Sequence, residues 1–223
     1  MRLVYPEYDI SINIVENRTN ILVIENPKVM SELLRELFCQ AEGEEGKFVV
    51  SDNNGELNFA KAVHIVPNVF QLNCNERKII TRLYQLMEEM TTENFIQEGI
   101  QTNGEVSKFV NQMCSQVPYH LEFQNQFTPA DYLKLAKVEF VHECDSLLED
   151  IIQYIDIISQ LFSPELIIFF HLKLFLPVNE IKQLYEYAFY HKIPIMIIEG
   201  NMSEKLPEED IIIIDRDCCT IKI

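Results

Sequence analysis

The sequence predicts an α/β fold, with both ends of the chain building one domain and a helical region inserted between them. Three observations carry this. Residues 166–172 and 193–198 are short, almost unbroken apolar runs, as strands covered on both faces require. Between them Val178, Ile181, Leu184, Tyr185 and Ala188 fall at helical spacing after Pro177, a residue suited to the first position of a helix. Strand, amphipathic helix and strand form a βαβ unit, so the two strands should be parallel with a right-handed crossover. Finally, the N-terminal part is rich in strand signals yet cannot bury its sheet without these C-terminal strands.

Taken in order, residues 3–5 and 10–14 alternate and predict an edge hairpin. Asn17, Arg18, Thr19 and Asn20 make a turn by composition, and residues 21–24 a buried strand. Asn26 and Pro27 open a helix with Val29, Met30, Leu33, Leu34, Leu37 and Phe38 on one face. An acidic loop follows at 41–46. Residues 47–51, a turn at 52–55 and residues 57–66 predict two or three more strands.

The character changes near Leu72. Ile79, Leu83, Leu86 and Met90 make one helical stripe, and Val106, Phe109, Val110 and Met113 a second. Leu147, Leu148, Ile151, Ile152, Ile155, Ile158 and Leu161 make the third and most apolar. Between the last two, residues 119–123 suggest a short extended piece, and Thr128–Pro129 an N-cap followed by a good first helical residue. Residues 193–198 are ended by Glu199–Gly200, and 211–214 extend the sheet. The expected organisation is a head of residues 1–73 and 164–223, with a helical domain at 74–163.

With 48% hydrophobic residues in 223, core material is ample. No apolar run reaches the roughly 18 residues of a membrane span, and the opening MRLVYPEYDI has no signal-peptide hydrophobic region, so an intracellular protein is expected. The six cysteines include no C-x-x-C, which indicates neither a zinc site nor a redox pair; reduced thiols are expected. A net charge of −17 favours solubility or a basic partner over nucleic acid, although an oligomer can concentrate a local basic cluster.

The connection Glu25–Asn26–Pro27 stands where a phosphate-binding loop would sit, but it has no glycine and no Gly-Lys-Ser/Thr. His64, His120, His142, His171 and His191 form no H-E-x-x-H pair; His171 ends a strand near the sheet edge where α/β ligands bind. Asp52–Gly55 reads as a hairpin turn and does not fit an EF-hand. Glu122 and Asp131 flank a bend with Gln124 and Asn125 between them, the hard oxygen ligands that calcium takes, among acids that otherwise read as a solvated face. The 18 basic residues include Arg77, Lys78 and Arg82 near one helix start, Lys134 and Lys137 on one helical face, Arg18 in its turn, and Lys47 and Lys61 in the β-rich part.

These segments resemble the Csn-two family, the small CRISPR-associated adaptation proteins of type II-A systems. The resemblance rests on TNILVIEN (19–26), LIIFFHLKLFL (166–176) with NEIKQLYEY behind it, and IPIMIIEG (193–200) before DIIIID (210–215). It covers essentially the whole chain, and the helical middle diverges most. It implies an α/β head with a mixed sheet, related to phosphate-loop ATPases but degenerate in the nucleotide motif, and an inserted α-helical leg domain. It further implies a non-catalytic, cytoplasmic, ring-shaped homotetramer, stabilised by calcium, that binds double-stranded DNA ends in a positively charged hole. Its role would be spacer acquisition beside the CRISPR integrase subunits and the RNA-guided effector nuclease. Carried onto this sequence, Glu122 and Asp131 match calcium ligands, and Gln124 and Asn125 stand where other members have acids. Arg18 and Lys61 match the region of the channel cations, and Lys134 and Lys137 are second choices for DNA contact. Two other classes stay open: an enzyme with its site at the sheet edge, around His171 or nearby acids, and an interaction subunit that touches no DNA.

Overall fold

The computed structural model describes residues 1–223, all but the side chains of residues 92 and 93. Its elements run β1 (Arg2–Tyr5), β2 (Ile10–Asn13), β3 (Thr19–Ile24), α1 (Pro27–Ala41), β4 (Val49–Asp52), β5 (Gly55–Leu57), α2 (Phe59–Ala62) and β6 (Val63–Val66). The helices α3 (Arg77–Asn94), α4 (Ile96–Cys114), α5 (Pro129–Ala136) and α6 (Leu147–Phe162) follow. Then come β7 (Leu166–Phe170), α7 (Leu172–Phe175), α8 (Val178–Tyr190), β8 (Ile195–Glu199), β9 (Glu209–Ile214) and β10 (Thr220–Lys222).

β3 is buried along its whole length because it lies inside a mixed sheet of order β10-β9-β3-β8-β7-β6. It pairs in parallel with β9 on one side and β8 on the other, Ile21 standing opposite Ile211 and Ile197. The expected βαβ unit is present: β7 and β8 are parallel, with Ile168 opposite Met196, and α8 makes the crossover. β10 alone runs antiparallel, as a hairpin partner of β9. A second, antiparallel sheet has the order β2-β1-β4-β5, with the predicted β1–β2 hairpin in it.

The residues of β3, β7, β8 and β9 alternate between two faces. Leu22, Ile24, Ile168, Ile198 and Ile212 join Leu33 and Leu37 of α1 and Leu3, Tyr5 and Val50 of the small sheet in one core. Ile211 and Ile213 share the other face with Glu209, which accepts a hydrogen bond from Tyr185 of α8. α6 packs beside α8 and buries Ile151, Ile155 and Ile158 completely.

Two compact units emerge, Met1–Leu72 with Glu143–Ile223, and Asn73–His142. The 147–162 helix, grouped by its pattern with the helical segment, thus lies in the first unit, where its wide apolar stripe has a partner helix. Other local expectations shift as well. Residues 57–66 are not one strand: Asn58 caps a turn of helix at α2 before β6 begins. Pro177 occupies the cap position one residue before α8, and Val178 is half exposed, so the buried stripe starts at Ile181. Residues 119–123 form no strand.

In the helical unit α3 and α5 pack together. Two asparagines stitch its irregular stretch to the helices. Asn75 donates Nδ2 to the Phe140 carbonyl at 3.0 Å and accepts the Phe140 N–H at 2.8 Å. Asn103 does the same with Phe127, at 2.9 and 2.7 Å, and also accepts the Tyr132 hydroxyl. Only Ile79 and Tyr84 are buried apolar side chains in this unit, among the described residues. Phe95, Ile96, Ile100, Phe109, Met113 and Leu135 are all exposed.

Candidate functional site

Arg18 stands in the turn before β3, next to Asn17, which takes a left-handed backbone (φ 59°). Its guanidinium is not free. It donates to the Pro207 carbonyl at 2.6 Å and the Glu209 carbonyl at 2.9 Å, and it is ion-paired with Asp210. The Asp210 carboxyl is held below its ordinary range, first by that hydrogen bond from Arg18. Arg18 also lines a pocket of about 350 Å³ with Asn17, Glu165, Phe189, Lys192 and Pro194. The pocket holds cations and carboxylates together.

Lys61 is exposed on α2, and its ammonium makes no ion pair among the described residues. The short helix exists because the Asn58 side chain accepts the Lys61 N–H at 3.1 Å.

In the helical unit, Thr128 caps α5 as predicted and forms a reciprocal box with Asp131. Asp131 Oδ2 accepts the Thr128 N–H and hydroxyl, both at 3.0 Å, and Oδ1 lies 3.6 Å from Lys134 Nζ. The hydrogen bonds from Thr128 hold the Asp131 carboxyl below its usual range, with Lys134 adding to the effect. Lys137 ends α5 in a left-handed conformation, φ 51°. Glu122 is exposed and uncommitted among the described residues. The bend between them is held from α4, where the Ser107 hydroxyl donates to the Asn125 carbonyl at 3.0 Å. Oxygen donors are thus present for a hard cation, but Asp131 is already committed to the helix cap, so Glu122 and Asp131 do not form a ready cage.

At the carboxyl edge of the main sheet, the β3–α1 connection is occupied by its own chain. Asn26 Oδ1 accepts the Lys28 and Val29 N–H groups, so the first turn of α1 is capped from within. Asn26 Nδ2 donates to the Arg216 carbonyl at 2.9 Å, drawing the β9–β10 turn over the same spot. His171 sits nearby in a left-handed conformation (φ 53°), its Nδ1 3.6 Å from Glu199 Oε2. Burial raises the Glu199 carboxyl above its ordinary range, against the pull of the Lys173 N–H and His171. Lys173 reaches below the surface to Glu209, at 2.7 Å, and Glu209 also takes the Tyr185 hydroxyl and the Leu206 N–H. Sequence reasoning passed over Lys173 and Glu209. The signal available was a lysine and a glutamate, each beside a long apolar run.

A family model described as CRISPR-associated protein (Cas_Csn2) matches residues 40–218. The chain belongs to this family. Cas_Csn2 membership makes it a CRISPR-associated protein and bears out the resemblance read from 166–176 and 193–200. The match also spans the 119–131 bend, Lys61, Lys134 and Lys137, and it begins after Arg18. No curated protein matches the chain. No helix among the described residues is long and apolar enough to cross a membrane.

Proposed function

We propose that this chain is a non-catalytic protein of CRISPR spacer acquisition that binds double-stranded DNA ends as a calcium-stabilised, ring-shaped homotetramer, alongside the integrase subunits and the RNA-guided nuclease. The family match carries the proposal. Three structural observations support its parts. The place of a phosphate cradle is filled by Asn26 and the 215–219 turn, in keeping with a degenerate phosphate-loop head and no nucleotide chemistry. The helical unit presents many large apolar side chains and carries six Lys/Arg against nine Asp/Glu, whereas the first unit carries twelve against twenty-six. Exposed apolar surface with little net charge is what a homo-oligomer needs where copies meet. Lys61 is exposed and outside any ion pair among the described residues, so it can reach a phosphate without breaking one.

Phosphate contacts position the duplex and carry no base information, so binding is indifferent to sequence. The test is a gel shift on linear duplex and on covalently closed circles, with calcium and with chelator. A threaded ring retains the linear form and not the circle. Equal retention of both, or a monomer at micromolar concentration with calcium present, overturns the proposal.

A second reading is an interaction subunit that touches no DNA. It draws on Arg18 and Lys134, two of the four expected DNA cations, being paired with Asp210 and Asp131. Absence of any shift on linear duplex would favour it.

A further inference from the structure

We propose that Cys218 and Cys219 form a thiol–disulfide switch, a modification site for low-molecular-weight disulfides at the tip of the β9–β10 turn. They are adjacent, and they are the two exposed cysteines; Cys39, Cys74, Cys114 and Cys144 are half-buried. The turn that carries them is built by one side chain. Asp215 Oδ1 accepts the Asp217 and Cys219 N–H groups at 2.9 and 2.8 Å, and the Asp215 carbonyl accepts the Cys218 N–H at 3.1 Å. Cys218 takes a left-handed backbone, φ 64°. Asn26 Nδ2 donates to its sulfur at 3.5 Å while Asn26 Oδ1 caps α1. One amide therefore joins the thiol to the first turn of a 15-residue helix.

The chemistry balances with a disulfide as the oxidant. The Cys218 thiolate attacks one sulfur of glutathione disulfide; the S–S bond breaks and one glutathione leaves as thiolate. The Cys219 thiolate then attacks the Cys218 sulfur of the mixed disulfide and expels the second glutathione. Two protein thiols lose two electrons, and their protons pass to the two glutathione thiols released.

Adjacent Cα atoms across a trans peptide lie about 3.8 Å apart, closer than the roughly 4.4–6.8 Å an ordinary disulfide spans. The 218–219 bond therefore distorts the turn, which makes it readily reduced and suited to reversible regulation. Distortion pulls the Cys218 and Cys219 N–H groups off Asp215 and the sulfur off Asn26. The α1 cap and the β9–β10 pairing loosen together. Competition from Cys39 and Cys144 is weak: burial pushes their thiols up, and so lowers their thiolate fraction.

The experiment titrates the full-length protein with glutathione disulfide against glutathione, reading intact mass and the modified peptide. The expected product lacks two hydrogens, carries a 218–219 disulfide, and forms about tenfold faster than any adduct at Cys39 or Cys144. Cys219→Ser, with no resolving thiol, instead keeps a glutathione adduct on Cys218. In the oxidised protein, amide exchange quickens in β10 and in the first turn of α1. The proposal is overturned by equal reaction at all six cysteines, by a wild-type adduct as long-lived as that of Cys219→Ser, by a disulfide to one of the other four cysteines, or by unchanged exchange.

Discussion

Arg18, in the turn before β3, and Asp210, the second residue of β9, are 192 positions apart and ion-paired, with the same guanidinium also bound to the carbonyls of Pro207 and Glu209. This clamp fixes the register at which two parallel strands begin. Arg18→Ala is expected to lower stability by about 1 kcal/mol, because charged hydrogen bonds of this kind are partly screened where the pair is exposed. The sign of the pH effect follows from Asp210. Its folded carboxyl is held below the ordinary 3.8, so its contribution is present above that value and is lost as pH falls through the lowered one. Urea melts of wild type and Arg18→Ala should therefore differ most at pH 7 and draw closer in acid, where the bonds to the Pro207 and Glu209 carbonyls remain. A gap of the same size in strong acid as at pH 7 would contradict this.

Lys61 and Arg18 should separate in DNA binding. Lys61→Ala is expected to weaken binding to unrelated duplexes alike, to reduce the salt slope by about 0.9 per lost phosphate contact, and to leave the melting temperature unchanged. Arg18→Ala, if its guanidinium only clamps β9, should lower the melting temperature and keep the slope. Salt titrations paired with melting curves read both.

Calcium, if it takes Asp131, must compete with the α5 cap. Melting curves with calcium and with chelator should differ for the wild type and coincide for Glu122→Ala combined with Asp131→Ala. The single variants should differ in chelator: Glu122→Ala melts like the wild type, and Asp131→Ala melts lower because the box is lost. Thr128→Ala, which loses the cap but keeps both carboxylates, costs about 1 kcal/mol in chelator. Identical wild-type curves with and without calcium would end the calcium reading.

Lys173 is nearly buried and Glu209 fully so. Removing one partner leaves a buried charge uncompensated, so Lys173→Met is expected to cost about 3–5 kcal/mol. Lys173→Met combined with Glu209→Gln should recover much of that loss. Denaturant unfolding of the three proteins decides it, and a single variant as stable as the wild type would count against the pairing.

Glu199 should show the opposite pH sign to Asp210. Burial raises its folded carboxyl above 4.5, so the folded state loses stability as pH rises from 4.5 through the raised value. Glu199→Gln keeps a side-chain oxygen for the Lys173 N–H and has no such charge to bury. The variant should gain on the wild type across that window and hold a constant difference above it.

The sheet was legible because its strands are covered on both faces and read as apolar runs, 166–170 and 195–199 most plainly. Caps were legible because Asn26 and Thr128 act on N–H groups within three residues. What escaped was long-range polar contact. Nothing near Arg18 announces residues 207–210, and nothing near Asn75 or Asn103 announces the backbone of Phe140 or Phe127. Asp131 was singled out for its charge, and its cap partner Thr128 for its position. The pairing of the two is what limits Asp131 as a cation ligand. The short helix α2 was hidden within a run of residues that otherwise suit a strand.

β3 ends at Ile24, yet both of its hydrogen-bonding neighbours, β8 and β9, begin only at Ile195 and Glu209. At ribosomal rates of roughly 5–20 residues per second, Ile21–Ile24 waits on the order of ten seconds or more for its partners. Throughout that interval a wholly apolar strand has two open edges. Truncation before residue 195 is expected to leave an aggregation-prone strand whose hydrogen-bonding partners are missing.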